Sequence, residues 1–197
     1  MGRVKERTPE LRRHVVAVAT AVLEEEGVAA FTARRVAAGA GTSIPAVYEL
    51  FGDKAGLTRA VLFEGFAMLA GELDSLPARN DPVADLVEVL GSMRRFVAGH
   101  PALAAVMFLR PVADFDPGPE EAAAAKVVRA CLVARVRRCI EAGVLSGNPT
   151  DVAHILLALV QGLAGQEGAG WLGTSRASVE RRWSLGIHAL LAGLAQP

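Results

Sequence analysis

Apolar residues recur along most of this chain with the three-to-four-residue spacing of helices. Leu11, Val15, Val18 and Val22, for example, fall on one face of a first helix. The period-two alternation that is typical of a half-buried strand is missing from the sequence. Between glycine and proline stops, the pattern predicts nine helices, over about 9–26, 32–40, 44–51, 54–76, 83–98, 101–111, 120–142, 150–165 and 177–194. The predicted fold class is therefore all-α.

The composition is that of a globular chain without a charge excess. Hydrophobic residues make up 52% and charged residues 21% of the 197 positions, whereas a disordered chain would be less apolar. Lys+Arg and Asp+Glu number 21 each, so net charge points neither to nucleic acid nor to a membrane. The longest uncharged stretch of the C-terminal half, 152–166, is shorter than the ~20 residues that a spanning helix needs.

The two cysteines indicate a reducing environment. Cys131 and Cys139 lie eight positions apart on one predicted helix, which separates them by about 12 Å along its axis. A disulfide requires Cα atoms within ~7 Å, so the two cannot bridge each other there. We therefore expect a cytoplasmic protein with free thiols, in which Cys131 is more plausibly a small buried hydrophobe than a redox sensor.

Two short helices around Gly41 form the most informative segment. Thr32 and Ser43 are good N-caps for the second and third predicted helices, and Gly41 permits a sharp turn between them. This arrangement is typical of a helix-turn-helix, although an ordinary corner between two helices would show the same pattern. The chain is predicted to divide into a three-helix unit over 1–52 and a larger helical body over 53–197, joined by the fourth helix.

The same segment carries a more specific set of spacings. The residues are Phe31-Thr32, Ala37-x-x-Ala40-Gly41-x-Ser43, Val47-Tyr48-x-x-Phe51 and Asp53-Lys54-x-x-Leu57. This set, within about residues 9–62, resembles the DNA-binding domain of the tetracycline-repressor (TetR) family of bacterial transcription regulators. The resemblance implies a helix-turn-helix DNA-binding domain over 1–52 and a C-terminal ligand-binding and dimerisation domain over 53–197.

The resemblance also implies roles for individual residues. Thr32, Tyr48 and Lys54 correspond to positions that bind backbone phosphate, and Arg34 is expected to add a phosphate contact. The helix face that would enter the major groove consists of Ser43, Ile44, Pro45, Ala46 and Glu49. Contacts to phosphate or the minor groove are also expected from Arg3, Lys5 and Arg7.

Four positions depart from the family pattern. Glu49 is acidic where several relatives are neutral or aromatic, and it could accept a hydrogen bond from cytosine N4. Leu50 stands where histidine or tyrosine is frequent. Ala55 and Gly56 replace the glutamates that usually follow the lysine, so the fourth helix lacks a capping box. These departures concern the affinity and sequence preference for DNA.

For the larger body, the resemblance implies a ligand pocket and a dimer-forming helix pair. The candidate pocket residues are Phe66, Leu69, Met93, Phe96, Met107, Phe108, Phe115, Cys131, Leu132 and Arg135, although each could equally be an ordinary core residue. Arg135 is a possible polar anchor, but the neighbouring Arg137 and Arg138 suggest a solvated basic face. The helices over about 150–165 and 177–194 are expected to form the homodimer interface, unless their apolar faces pack within one subunit. The sequence predicts neither a metal site nor a cofactor.

Together these observations favour a ligand-responsive DNA-binding transcriptional regulator. The expected protein is a repressor that binds a palindromic double-stranded operator as a dimer and is released by a small, mostly apolar effector. The alternative is a helical small-molecule-binding module with degenerate DNA recognition, which the acidic Glu49 prompts. An enzyme is the weakest hypothesis, because the sequence has no nucleophile, metal or phosphate-binding motif at the required spacing.

Overall fold

The computed structural model describes residues 9–108 and 118–195, and within these ranges it is all-α. Nine helices are present there: α1 (Pro9–Glu26), α2 (Ala33–Gly39), α3 (Ile44–Phe51), α4 (Lys54–Asp74), α5 (Pro82–Gly99), α6 (Pro101–Phe108), α7 (Pro119–Glu141), α8 (Pro149–Gly168) and α9 (Arg176–Gly193). The predicted fold class is confirmed. None of the helices in the described part of the chain is long and apolar enough to cross a bilayer.

Most helix ends follow local signals. Thr32 and Ser43 cap α2 and α3 as predicted, and Asn148 caps α8 by accepting from the amides of Thr150 and Asp151. Two ends differ from the prediction by two residues or more, and the predicted end of α6 at 111 lies outside the described residues. Helix α4 ends at Asp74 instead of residue 76, and α8 continues to Gly168, one turn beyond 165. That extra turn contains Glu167, whose carboxylate is held by side chains from other helices.

The chain forms two compact units. The first contains the described residues up to Ala67 together with those from His100 to Ala124. It includes α1–α3, the greater part of α4, and α6, and its core is apolar, with Ala19, Leu23, Phe31, Val36, Val47 and Leu57 buried. The Glu24 carboxylate of α1 accepts a 2.8 Å hydrogen bond from the Leu103 amide in the first turn of α6. Helix α6 is thereby fixed to the helix that supports the helix-turn-helix.

The second unit contains Met68–Gly99 and the described residues from Ala125 onward. Helix α5 packs along α8, and α8 packs against α9. The core includes the fully buried side chains of Leu86, Leu90, Leu132, Val136 and Leu156. This division by contacts differs from the functional division at 52/53 that the sequence predicts, and the latter stays a prediction.

A buried carboxylate joins α5 to α7 within the second unit. Asp85 is 3% exposed, and its two oxygens accept from the Arg138 guanidinium and from the Arg79 amide. Arg138 also donates to the Arg79 carbonyl at 2.9 Å. The Arg138 side chain is nevertheless 40% exposed, which agrees with the solvated basic face expected there, and its ion pair with Asp85 is a long-range contact that the sequence does not show. Arg137 is exposed as expected.

Candidate nucleic-acid interface

Helices α2 and α3 are joined by a tight turn whose geometry fixes the helix-turn-helix. Gly41 has a φ of +60°, a backbone conformation that residues with a Cβ rarely adopt. The Gly41 amide donates to the Ala38 carbonyl at 3.2 Å, and the Thr42 amide donates to the Ala37 carbonyl at 2.9 Å. These bonds satisfy the last carbonyls of α2, and the chain enters α3 directly afterwards.

Two hydroxyl caps hold the helix starts. The Thr32 hydroxyl oxygen accepts from the Arg35 amide at 3.2 Å, and the Ser43 oxygen accepts from the Ala46 amide at 3.3 Å. Since each hydroxyl is used as an acceptor, its own hydrogen stays available for a phosphate oxygen. Both residues are exposed, as a DNA contact requires.

Helix α3 has one face in the core and one face outward. Val47 and Phe51 are buried and anchor the helix, whereas Tyr48 is 44% exposed. Of the nine predicted DNA-binding residues, seven are exposed and two are half-buried; the exposed ones are Thr32, Arg34, Ser43, Pro45, Tyr48, Glu49 and Lys54, and the half-buried ones are Ile44 and Ala46. The three basic residues Arg3, Lys5 and Arg7 lie outside the described part of the chain.

Some cationic side chains of the first unit form ion pairs or a cation–π contact, whereas others form no ion pair. Arg35 pairs with Glu26, and Arg13 pairs with Glu10 at 3.1 Å. The Arg12 guanidinium lies 5.0 Å from the centre of the Phe51 ring, a cation–π contact that the sequence did not indicate. Within the described residues, Arg34 and Lys54 form no ion pair, so both can approach phosphate without breaking one.

The start of α4 shows how Lys54 is positioned without a capping box. The Asp53 carboxylate accepts from the Gly56 amide at 2.7 Å and takes over the capping role. A Cβ added at Gly56 would lie 1.8 Å from the Phe51 carbonyl oxygen, so the close approach of α3 leaves no room for a side chain there. The glycine that departs from the family pattern therefore has a steric reason.

The candidate pocket residues are placed separately in the two units. In the first unit, the rings of Phe66 and Phe108 meet edge to face at 6.1 Å, and Met107 is buried. In the second unit, Leu69, Met93, Phe96 and Leu132 are buried, while Cys131 and Arg135 are half-buried. Phe115 lies outside the described residues. The assignment of this set to a ligand pocket stays a prediction.

Both cysteines are thiols in an environment that disfavours the thiolate. Burial raises the pKa of the Cys131 and Cys139 side chains above the ordinary value, and the neighbouring Arg135 and Arg138 only partly oppose this effect. Cys139 donates a hydrogen bond to the Pro82 carbonyl, and Cys131 accepts one from Arg135. Cys131 is less buried than expected, but neither thiol is activated as a nucleophile.

Helices α8 and α9 each have an inward and an outward apolar face. Leu156, Val160 and Trp183 are buried within the unit, and a Cβ added at Gly186 would lie 3.3 Å from the Leu163 side chain. On the outside, Ile155 and Leu185 are 49% and 69% exposed. The predicted helix pair thus contributes to the subunit core and also leaves an apolar surface uncovered.

A charged cluster that sequence reasoning missed links three helices of the second unit. Arg94 of α5 donates to Glu167 of α8 at 3.0 and 2.8 Å and to Glu180 of α9 at 2.9 and 3.1 Å. Its guanidinium lies 4.7 Å from the Trp183 ring centre, and the indole N–H donates to Glu167 at 2.6 Å. These four residues, the Arg94 cluster, are up to 89 positions apart, and no local pattern could reveal their contact.

The all-α fold with its exposed α2–α3 turn defines the class of this protein, a helix-turn-helix regulator. Comparison with known proteins identifies the family. Residues 15–61 match the family model "Bacterial regulatory proteins, tetR family", and residues 86–190 match "Tetracyclin repressor-like, C-terminal domain". The second match alone covers more than half of the chain. The chain belongs to the tetracycline-repressor family of bacterial transcription regulators.

Solved structures show the same fold over nearly the full length. A Rhodococcus sp. RHA1 protein of unknown function superposes with a TM-score of 0.80 at 25% identity, covering 98% of this chain and 100% of that one. A putative TetR family regulator from Shewanella sp. PV-4 gives 0.72 at 13% identity, with 95% and 99% covered. The regulator PfmR from Thermus thermophilus gives 0.67 at 19% identity, with 92% and 99% covered. No curated protein matches the sequence significantly.

Proposed function

We propose that this protein is a cytoplasmic transcriptional repressor that binds a palindromic operator as a homodimer and is released by a small, mostly apolar effector. In this proposal, residues 1–52 bind DNA, and residues 53–197 bind the effector and the second subunit. The observation that carries it is the outward face of α3, which is presented to solvent while Val47 and Phe51 anchor the opposite face. Such a face is what a major groove accepts.

The phosphate contacts come from side chains around this face. Lys54 and Arg34 supply charge, and the hydroxyls of Thr32 and Tyr48 can donate to phosphate oxygens. One subunit offers few cations, so weak binding by a single copy is expected. Two copies on half-sites one helical turn apart, about 34–36 Å, double the number of contacts and require a palindrome.

Base recognition in the proposal is assigned to the short side chains and to Glu49. Pro45 and Ala46 are small enough to contact a thymine methyl, and the Glu49 carboxylate accepts from cytosine N4. The carboxylate also repels phosphate, so it lowers affinity for every sequence while favouring cytosine at one position. The expected result is a selective regulator of modest affinity.

The dimer is proposed to form through α8 and α9. Ile155 and Leu185 are exposed on these helices in a chain whose other large apolar side chains are mostly buried. The small residues Gly162 and Gly165 are exposed on α8 and would let a second backbone approach closely. Pairing two such faces gives a four-helix bundle that removes the apolar surface from water.

Operator selection tests the proposal directly. The full-length protein is incubated with random duplex DNA at a stated salt concentration, after its dimeric state has been verified, and bound sequences are enriched. One palindrome is expected. Its absence at low salt would overturn the repressor assignment and favour the binding module with degenerate DNA recognition.

Variants then locate the interface. Lys54→Ala should lower operator affinity at low salt and reduce the slope of log affinity against log salt by about one unit per subunit. Lys126→Ala removes another exposed lysine, from α7, and serves as the matched control. Equal slopes for the two variants would show that Lys54 does not contact phosphate.

A further inference from the structure

Arg135 of α7 is a cation whose hydrogen-bonding capacity is largely unused. Its Nε atom is buried and has no hydrogen-bond partner in the described part of the chain. The nearest carboxylate oxygen, on Asp85, lies 3.6 Å away, which is too long for a hydrogen bond. Nη1 donates only to the Cys131 sulfur at 3.4 Å, and a thiol is a weak acceptor.

No acidic side chain of the described residues forms a hydrogen bond with Arg135. Asp85 is already engaged by Arg138 and by the Arg79 amide, so one carboxylate faces two guanidinium groups. Cys131 does not supply the missing negative charge, because burial raises the pKa of its thiol. Asp74, which also faces Cys131, is exposed and forms no ion pair with Arg135 within the described residues. Arg135 is therefore left without a carboxylate bonded directly to its guanidinium.

An arginine whose side chain is 22% exposed and whose guanidinium is short of acceptors is unusual. Leaving a buried charged donor without an acceptor is costly, so native proteins normally pair such groups. On the inward side of α7, Leu132 and Val136 are fully buried close to Arg135. A partner for Arg135 must therefore supply an anionic acceptor and tolerate apolar side chains nearby.

We propose that Arg135 binds the carboxylate of the effector, and that the effector is an apolar monocarboxylic acid. The planar Nε–Nη edge of a guanidinium matches the two oxygens of a carboxylate, and an acceptor is what Nε lacks. A phosphate ester would bring a second negative charge close to the Asp85 carboxylate, which lies 3.6 Å from Nε, so a singly charged head group is favoured. This inference deepens the proposed function, since it assumes that the body binds the effector of the regulator.

Decanoate, methyl decanoate and decanol are suitable probes because they share an apolar chain and differ at its head. Calorimetric titration of the full-length protein, below the aggregation concentration of each probe, should give decanoate an affinity at least about tenfold above the ester and the alcohol. Equal affinities for the three probes would overturn the proposal, and so would the absence of decanoate binding. This comparison needs no variant and does not depend on the folding of a mutant.

Variants assign the preference to Arg135. Arg135→Gln should reduce the preference for decanoate to within about twofold, and Arg135→Lys should retain part of it. Arg137→Gln removes an exposed arginine two positions along the same helix and should leave the preference intact. A carboxylate preference that survives in Arg135→Gln would place the anion site elsewhere and refute the assignment.

The outcome is separable from that of the operator experiment. If decanoate binds through Arg135 but no palindrome is enriched, the carboxylate site stands and the repressor function fails. If a palindrome is enriched and decanoate does not bind, the regulator stands and the carboxylate site fails. Adding decanoate to the protein–operator complex then measures whether the two sites are coupled.

Discussion

Replacing Glu167 should reveal how strongly the Arg94 cluster stabilises the second unit. Glu167 accepts two hydrogen bonds from Arg94 and one from the Trp183 indole, and its side chain is 29% exposed. Glu180 accepts two bonds from the same guanidinium, but its side chain is 53% exposed. The two glutamates thus share a partner and differ in burial, which makes Glu180 a matched control.

The expected magnitudes follow from this difference. A partly buried hydrogen bond to a charged group contributes about 1.5–3 kcal/mol, so Glu167→Gln should lower the free energy of unfolding by about 2 kcal/mol. A solvent-screened ion pair contributes little, so Glu180→Gln should cost about 0.5 kcal/mol. In a chain of this size the corresponding decreases in Tm are about 4–8 °C and about 1–2 °C.

Urea unfolding followed by helical circular dichroism and tryptophan fluorescence measures both variants. Protein concentration must be held fixed, because dimerisation adds to apparent stability. Trp183 reports on the cluster itself, while the signal of the exposed Trp171 changes with its local environment. Equal destabilisation by the two variants would refute the argument that Glu167, which is more buried and also accepts from Trp183, contributes more than Glu180.

The difference in the free energy of unfolding between the protein and Glu167→Gln should depend on pH, and the structure predicts its sign. The hydrogen bonds from Arg94, more than any other factor, hold the pKa of Glu167 below its ordinary value, although burial opposes them. A carboxyl group with a depressed pKa stabilises the fold above its unfolded-state pKa of about 4.3, and this contribution disappears as pH falls through the folded-state value. The gap between the protein and Glu167→Gln should therefore close in acid. A gap that widens in acid would contradict the assignment.

Three further substitutions test other parts of the structure. Glu24→Gln should weaken the hydrogen bond to the first turn of α6 and speed amide exchange there about tenfold. The exposed Glu25→Gln should leave this exchange unchanged, and equal exchange rates for the two variants would show that the Glu24 bond is unimportant. Asp85→Asn should cost about 3 kcal/mol in urea unfolding, because it removes the buried counter-charge of the Arg135 and Arg138 guanidinium groups, against less than about 1 kcal/mol for the exposed Asp151→Asn. Glu49→Gln should raise operator affinity and shift one selected base from cytosine towards adenine; an unchanged base preference would exclude a contact from this side chain.

The sequence predicted those parts of the fold that depend on neighbouring residues. Thr32 and Ser43 cap helices that begin one residue later, and Gly41 turns the chain between them, so all three signals lie within a few positions. Nine helices, most of their ends and the exposed face of α3 followed from such signals. The family resemblance rests on the same short segment.

Long-range contacts explain what the sequence did not predict. Helix α8 continues past Gly165 because Glu167 is held by Arg94, which is 73 positions away. The ion pair between Arg138 and the buried Asp85 joins residues that are 53 positions apart, so no local pattern could predict it. Helical periodicity shows that a side chain faces inward, but it does not show which charge lies opposite.

This contrast bears on where the DNA-binding unit ends. A boundary at residue 52 follows the helix-turn-helix pattern, yet by contacts α6 belongs with α1–α3. The Glu24 carboxylate of α1 reaches the Leu103 amide of α6, and a Cβ added at Gly65 of α4 would lie 2.6 Å from the Met107 sulfur. Residues 1–52 alone would lack both α6 and the α4 surface against which it packs. The local pattern therefore marks the part of the chain that is proposed to contact DNA, whereas the part that holds this surface in place extends through α4 and α6.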